Sequence, residues 1–347
     1  MRFYTKQHKY YCGIDLHARP MYLCILDQNG AIVLHKNYRT SSQSLLKAIE
    51  PYREDIAIGV ECIFTWYWLA DLCAKEKISF VLGHALYMKA IHGGKVKNDK
   101  IDSHKIAVLL RGGSMPMAYV YPPEMRATRD LLRRRTHFMR KRSELLSHTQ
   151  NTNSRYNLPD FGKKIAYKAN RTDVAQRFDE ASVHKSIEVD LNLLNFYDSV
   201  LNDLELHIVN TAKEHNSNTF YLLRSIPGVG KILALTLLYE IHEISRFPRV
   251  QDFVSYARLI KPLRESAGKK HGKGNGKIGN AHMKWAFSEA ACLFLRNNPA
   301  AQRCHDRLVS KHGKAIALSI IAHKLGRAVY FMLKRKETFD MKRFLKE

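Results

Sequence analysis

Apolar and polar positions along the chain change rhythm twice. Over residues 10–120, short apolar runs of strand length alternate with longer amphipathic stretches, the pattern of an α/β region. From about residue 123 the period becomes helical and stays so for tens of residues, with a dense basic face. From about residue 220 the pattern is again mostly helical, interrupted by one tract rich in glycine and lysine.

Within the first region, YYCGIDLH is a short apolar run that ends in charge. MYLCILDQNGAIVLHKNY sets Asn29-Gly30 between two apolar runs, a strong hairpin signal. SSQSLLKAIEPY reads as a helix with a serine cap, and IAIGVEC as a buried strand. FTWYWLADLCAKEK reads as a helix and ISFVLGH as a strand. DSHKIAVLLRGG reads as a helix closed by glycines. The resulting order, βββ-α-β-α-β-α, is that of an RNase H-like fold. The expected fold class is therefore α/β plus α.

In the second region, MRATRDLLRRRTHFMRKRSELLSHTQNTNSRY and LNLLNFYDSVLNDLELHIVNTAKEH predict two long helices, a helical hairpin or coiled coil. In the third, YLLRSIPGVGKILALTLLYEI predicts two helices around a tight turn, and AFSEAACLFLRNNP and KAIALSIIAHKLGRAVYFMLKR predict further helices. The expected domains are 1–122 (α/β), 123–218 (helical linker) and 219–347 (mainly helical).

With 347 residues, the chain is long enough for two or three domains with real cores. Its charge changes the picture most: 57 Lys and Arg against 32 Asp and Glu leave a net charge of +25. That excess favours a polyanionic partner, DNA or RNA. No run of ~18 uncharged apolar residues predicts a membrane span, and no apolar signal core follows the basic start. Cys12, Cys24, Cys62, Cys73, Cys292 and Cys304 are scattered and form no CxxC, so neither a zinc ribbon nor a disulfide framework is expected. A reducing, cytoplasmic setting fits.

Four acids stand where a two-metal nuclease would want them. Asp15 ends the first predicted strand and Glu61 ends the fourth, neighbours in an RNase H-like sheet. Asp99 and Asp102, at positions i and i+3, open a helix on one face. Gathered carboxylates repel unless a divalent cation neutralises them, and Mg²⁺ suits oxygen donors. Taken singly, each acid also reads as a turn or cap residue.

Ser266 lies in RESAGKKHGKGNGKIGN among Lys269, Lys270, Lys273 and Lys277. Glycine and lysine there suit a phosphate backbone, as a solvated DNA-contacting or mobile loop; a hydroxyl so held could also attack phosphorus. SIPGVGK reads as a helix-hairpin-helix turn, with Gly228, Gly230 and Lys231 facing a phosphate, or as an ordinary tight turn. Arg126, Arg129, Arg133, Arg134, Arg135, Arg140, Lys141 and Arg142 coat one long helix, an expected nucleic-acid surface. Trp66, Tyr67 and Trp68 are expected to pack a core, and the 17 histidines show no ligand spacing of the HExxH kind.

The chain resembles the DEDD transposases of bacterial insertion sequences, the IS110 family, described as bridge-RNA-guided recombinases. GIDLH, GVEC and KNDKIDSHKIA are similar to that family's RuvC-like domain. LRSIPGVGKILALTLLYEI, YARLIKP, ESAGK and KIGNAHMKWAFSEAA are similar to its C-terminal transposase domain, in the subgroup with a Ser-Ala-Gly loop. The resemblance implies Mg²⁺ at Asp15, Glu61, Asp99 and Asp102. It also implies Ser266 as nucleophile through a phosphoserine linkage, with Ser255 as a weaker match. It further implies a noncoding guide RNA, element ends and target DNA as partners, a homo-oligomer (dimer or tetramer) with a composite site, and a bacterial, nucleoid-associated location. Many members carry Ser directly before Gly, whereas Ala267 stands between here.

Two other classes fit parts of the pattern. A junction resolvase using metal and water would need the four acids without Ser266. A non-enzymatic nucleic-acid binder would need neither. A sugar-kinase or actin-like ATPase would need a second Gly-rich phosphate turn, and the sequence has none.

Overall fold

The computed structural model describes residues 2–91, 98–212, 216–273 and 276–346. Two compact units emerge, 1–123 and 124–347.

The first unit opens with a two-residue strand, β1 (Phe3–Tyr4), followed by three strands, β2 (Tyr10–Leu16), β3 (Pro20–Asp27) and β4 (Ile32–Arg39). Next come α1 (Ser42–Ile49), β5 (Ile56–Glu61), α2 (Tyr67–Lys75), β6 (Ser79–Gly83), α3 (Ala85–Ile91), α4 (Asp99–Arg111) and β7 (Met115–Pro116). The five long strands form one sheet in the order β4-β3-β2-β5-β6, while β1 pairs with β7 outside it. β3 runs antiparallel to β2 and β4, whereas β5 runs parallel to both β2 and β6. The sequence thus predicted all five strands; β1, β7 and α3 were not anticipated, being too short to set a period.

Alternation along β2 divides the sheet's two faces. Cys12, Ile14 and Leu16 enter one core with Ile58, Val60, Leu45 and Leu69. Tyr11 enters another, with Ala57 of β5 and with Ile106 and Leu110 of α4. Gly13 lies on that second face, and a Cβ there would sit 2.2 Å from the Ser103 carbonyl oxygen and 2.3 Å from the Ala107 nitrogen. Helix α4 therefore rests its backbone directly on the sheet, which only glycine permits. Asn98 caps α4, its side chain accepting from the Ile101 N–H.

The second unit is almost wholly helical. Helix α5 (Pro123–Arg155) and α6 (Ala181–Ala212) are long, and two Arg–carboxylate ion pairs and one His–Asp contact tie them. Arg135 reaches Glu205 at 2.6 Å, Arg142 reaches Asp198 at 2.5 Å, and His148 reaches Asp190 at 2.5 Å. As the α5 partner advances, the α6 partner recedes, so the two form an antiparallel hairpin. Residues 124–212 of this hairpin lie within the second compact unit.

After it come α7 (Ser217–Arg224), α8 (Lys231–Ile241), α9 (Val250–Tyr256), β8 (Leu263–Ser266) and β9 (Lys269–Lys273). The chain ends in α10 (Ala281–Phe294), α11 (Pro299–His312), α12 (Lys314–Arg335) and α13 (Met341–Lys346). Apart from its first two residues, α8 is buried along its length, and it packs with α7, α10 and α12 around one large core. Gly228 holds φ +82° in the turn before α8, and a Cβ there would lie 2.6 Å from the backbone of Leu293.

Two expectations change here. The Gly/Lys-rich tract was expected as a loop, yet residues 263–273 form a β-hairpin. Its two-residue turn, Ala267-Gly268, has positive φ at both positions (+50° and +72°), the geometry whose twist matches paired strands. And α12 is long and apolar enough to cross a membrane by length and composition, which the search for uncharged runs did not register. Half of that window is buried in the protein. Ala317, Ile321, Leu325, Val329 and Leu333 form its inward stripe, so the apolarity serves the helical core.

Candidate metal centre and nucleic-acid surfaces

Because Cys12, Ile14 and Leu16 are committed to one core, Asp15 at the end of β2 faces the side on which α4 lies. The contact at Gly13 fixes how far along the sheet α4 begins, and so brings its first turn to Asp15. Ligand atoms of Asp15, His17 and Asp99 all lie within 4.8 Å of one another. His17 Nε2 stands 3.4 Å from an Asp15 oxygen and 3.6 Å from an Asp99 oxygen. Asp102 is one turn further along α4, with Lys105 Nζ at 3.8 Å.

Burial pushes the Asp15 carboxyl above the ordinary carboxylate value; His17 opposes that shift, and the charges of Asp99 and Asp102 add to it. Asp99 and Asp102 thus both act on Asp15.

Glu61 ends β5. The parallel register runs to Ile14 beside Val60, so Asp15 and Glu61 stand level at the next position, on the same face. The Glu61 and Asp102 carboxylates lie outside the 4.8 Å group. All four predicted acids therefore come to one end of the sheet, in a tight group and two flanking positions. His17 was missed by the sequence reading. His17 follows the last residue of β2, so no strand period marks it, and its place beside Asp99 is a tertiary contact.

The donor set fits a divalent cation. Clustered, partly buried carboxylates need positive charge, and the half-exposed Asp99 and His17 leave solvent access. Oxygen donors suit Mg²⁺, while the imidazole nitrogen is a donor that Mn²⁺ also accepts. Asp15, Asp99 and His17 would hold such an ion, with Glu61 and Asp102 beside them.

In the second unit, Ser266 is exposed at the end of β8, its backbone paired with Lys269 across the hairpin turn. Lys269 and Lys277 are exposed, whereas the side chains of Lys270 and Lys273 lie outside the described residues. Ser255 sits in α9, away from this hairpin in sequence. Gly228, Gly230 and Lys231 are exposed around the α7–α8 turn.

The basic helix divides in two. Arg126 and Arg129 are buried, Arg135 and Arg142 hold the α6 hairpin, and Arg133 joins Arg129 on Glu240. Arg134, Arg140 and Lys141 are exposed, with Arg134 over the Phe138 ring and Lys141 reaching Glu144. Five of the eight cations expected at a nucleic-acid surface therefore serve the protein's interior, because a long basic helix packed on a second helix must neutralise its inner face. Glu240 receives Arg129 at 3.0 Å, Arg133 at 2.7 Å and the Asn280 amide at 2.7 Å. Burial works to raise its pKa, but Arg133, Arg129 and Asn280 prevail and hold it at about 2.

Comparison with known proteins bears on both units. Residues 12–154 match a transposase family model, the DEDD domain of IS110-type transposases. Residues 221–306 match the transposase IS116/IS110/IS902 family. The transposase for insertion sequence element IS1111A of Coxiella burnetii is 24% identical over 340 residues, covering 94% of this chain and 90% of that protein. An uncharacterised 43.6 kDa protein of insertion element IS110 from Streptomyces coelicolor is 29% identical over 119 residues, 34% of this chain and 29% of that one. One family model runs through the sheet-bearing unit into α5 and the other lies within the helical unit, so both halves are those of a transposase, an enzyme class that cuts and transfers DNA strands. The chain belongs to the IS110 family of insertion-element transposases. A DEDD transposase domain implies a divalent metal, in keeping with the cluster at Asp15.

Proposed function

We propose that this protein is the recombinase of an insertion element, cutting and rejoining DNA with Mg²⁺ at the Asp15 centre and Ser266 as the nucleophile. The observation that carries the metal part is the convergence of Asp15, His17 and Asp99 within 4.8 Å, beside Glu61 and Asp102. The strand order β4-β3-β2-β5-β6, with its antiparallel and parallel halves, supports an RNase H-like (RuvC-like) reading of the first unit. Bound there, a divalent ion supplies charge neutralisation to a phosphate. Asp15, Asp99 and His17 would hold the ion, with Glu61 and Asp102 flanking it.

At the hairpin, exposure of Ser266 next to a tight turn supports attack on a phosphodiester. The Oγ–P bond forms, the P–O bond to one deoxyribose breaks, and the hydroxyl proton ends on the released sugar oxygen. Reversal with a different strand end rejoins DNA and frees Ser266. Lys269 and Lys277 neutralise the backbone beside it, and Arg134, Arg140, Lys141 and Lys231 supply further phosphate contacts. The α5–α6 hairpin serves as a coiled coil for a homo-oligomer, the α7–α8 turn as a helix-hairpin-helix phosphate contact, and an element-encoded RNA guides target choice in the cytoplasm.

The test is covalent trapping on a denaturing gel, using the full chain, labelled junction DNA, RNA from the element's flank and Mg²⁺. A protein–DNA adduct lost in Ser266→Ala is expected. Cleaved DNA without adduct, still dependent on Asp15, would replace the serine by a metal-and-water nuclease.

A further inference from the structure

Beyond the metal centre, one aromatic ring is left in water three residues after Glu61. Phe64 is 85% exposed, more than any other large apolar side chain among the described residues. A single exposed phenylalanine is ordinary on a protein surface. Its position is not, because it lies three residues after Glu61 in the short connection from β5 to α2.

That connection is held down on both sides of Phe64. The Cys62 N–H donates to the Gly83 carbonyl and the Ile63 N–H to the Glu61 carbonyl, both at 2.9 Å. The Thr65 hydroxyl donates to the carbonyl of Leu16 at 3.1 Å, so the loop is tied to the residue after Asp15. Trp66, two residues on, is 5% exposed and packs edge-on against Tyr67. The loop thus buries one aromatic and displays another, in the connection that follows Glu61 and is tied to Leu16. A solvated ring a few residues along the chain from a phosphate-handling carboxylate offers a surface on which an unstacked base packs.

We infer that Phe64 stacks on an unpaired DNA base next to the phosphate handled at the Asp15 centre, and so directs that centre to locally unpaired DNA. The inference rests on the transposase reading of that centre. Ring-on-base stacking is sequence-tolerant, so Phe64 would select for melted structure and leave the choice of sequence to other contacts.

The test uses full-length protein and three probes, a DNA duplex with a three-base bubble carrying 2-aminopurine, the same duplex fully paired, and an RNA duplex with the same bubble. Wild type should bind the bubble more tightly and change the 2-aminopurine emission at saturation. Phe64→Ala should lose roughly tenfold in bubble affinity and lose the emission change, while duplex affinity stays within about twofold. Phe64→Trp should restore both. Equal binding of bubble and duplex by wild type, an unchanged emission signal in Phe64→Ala, or a Phe64-dependent signal confined to an RNA bubble would each overturn it. Failure of the metal-centre reading looks different: cleavage surviving Asp15→Asn, with the stacking signal intact.

Discussion

Asp15 in the sheet-bearing unit and Glu240 in the helical unit are both carboxylates drawn out of water, yet their surroundings treat them oppositely. Glu240 meets two arginines and an amide, and its pKa falls to about 2. Asp15 meets two further acids and one histidine, and its pKa rises. The first acid is compensated by the fold. The second is compensated only in part by the described residues that act on it, which suits a bound cation. Residue type and burial alone would not separate the two; the neighbours do.

Substitution at each carboxylate should expose that contrast. Asp15→Asn should lower DNA cleavage by on the order of a thousandfold or more, while the variant melts at the same or a higher temperature in metal-free buffer near neutral pH. Loss of fold with loss of activity would place Asp15 with Glu240 as a structural acid. Glu240→Gln should do the reverse, costing about 3 kcal/mol of stability at pH 7. The sign follows from a folded pKa below the unfolded value. The stabilisation is fully present above pH ~4.5 and disappears as pH falls toward about 2. Chemical denaturation of both proteins between pH 7 and pH 2 should therefore converge at the acid end.

A smaller effect links fold to site. Gly13→Ala drives a Cβ into the backbone of α4, 2.2 Å from the Ser103 carbonyl oxygen. Overpacking of this kind costs about 1–3 kcal/mol. It should also shift α4's first turn off Asp15, so metal affinity should fall in a protein that still folds. Unchanged metal binding would mean that Asp99 is positioned by something other than the seat of α4 on the sheet.

Much of this was legible in the residues. Short apolar runs and the Asn29-Gly30 hairpin identified the five long strands, and strand-end Asp15 and Glu61 followed from their order. His17 was not legible, because its position beside Asp99 depends on how α4 lies across the sheet, a tertiary contact set at Gly13. The basic helix shows a second limit. Composition gives its charge but not its partners, and Glu205, Asp198 and Glu240 are distant in sequence from the arginines they neutralise. The hairpin at Ser266 was hidden because glycine and lysine carry little strand propensity, while positive φ at Ala267 runs against that residue's usual preference.

The most direct measurement is the melting temperature of wild type and Asp15→Asn across a Mg²⁺ titration, repeated with Mn²⁺. A centre that binds metal only when folded should stabilise the wild type progressively as metal rises above its dissociation constant. The account predicts that gain in wild type and its loss in Asp15→Asn, with Glu240→Gln keeping the gain from a lower starting temperature. Equal responses of wild type and Asp15→Asn would contradict it, and the acids at the end of β2 would then be no metal centre.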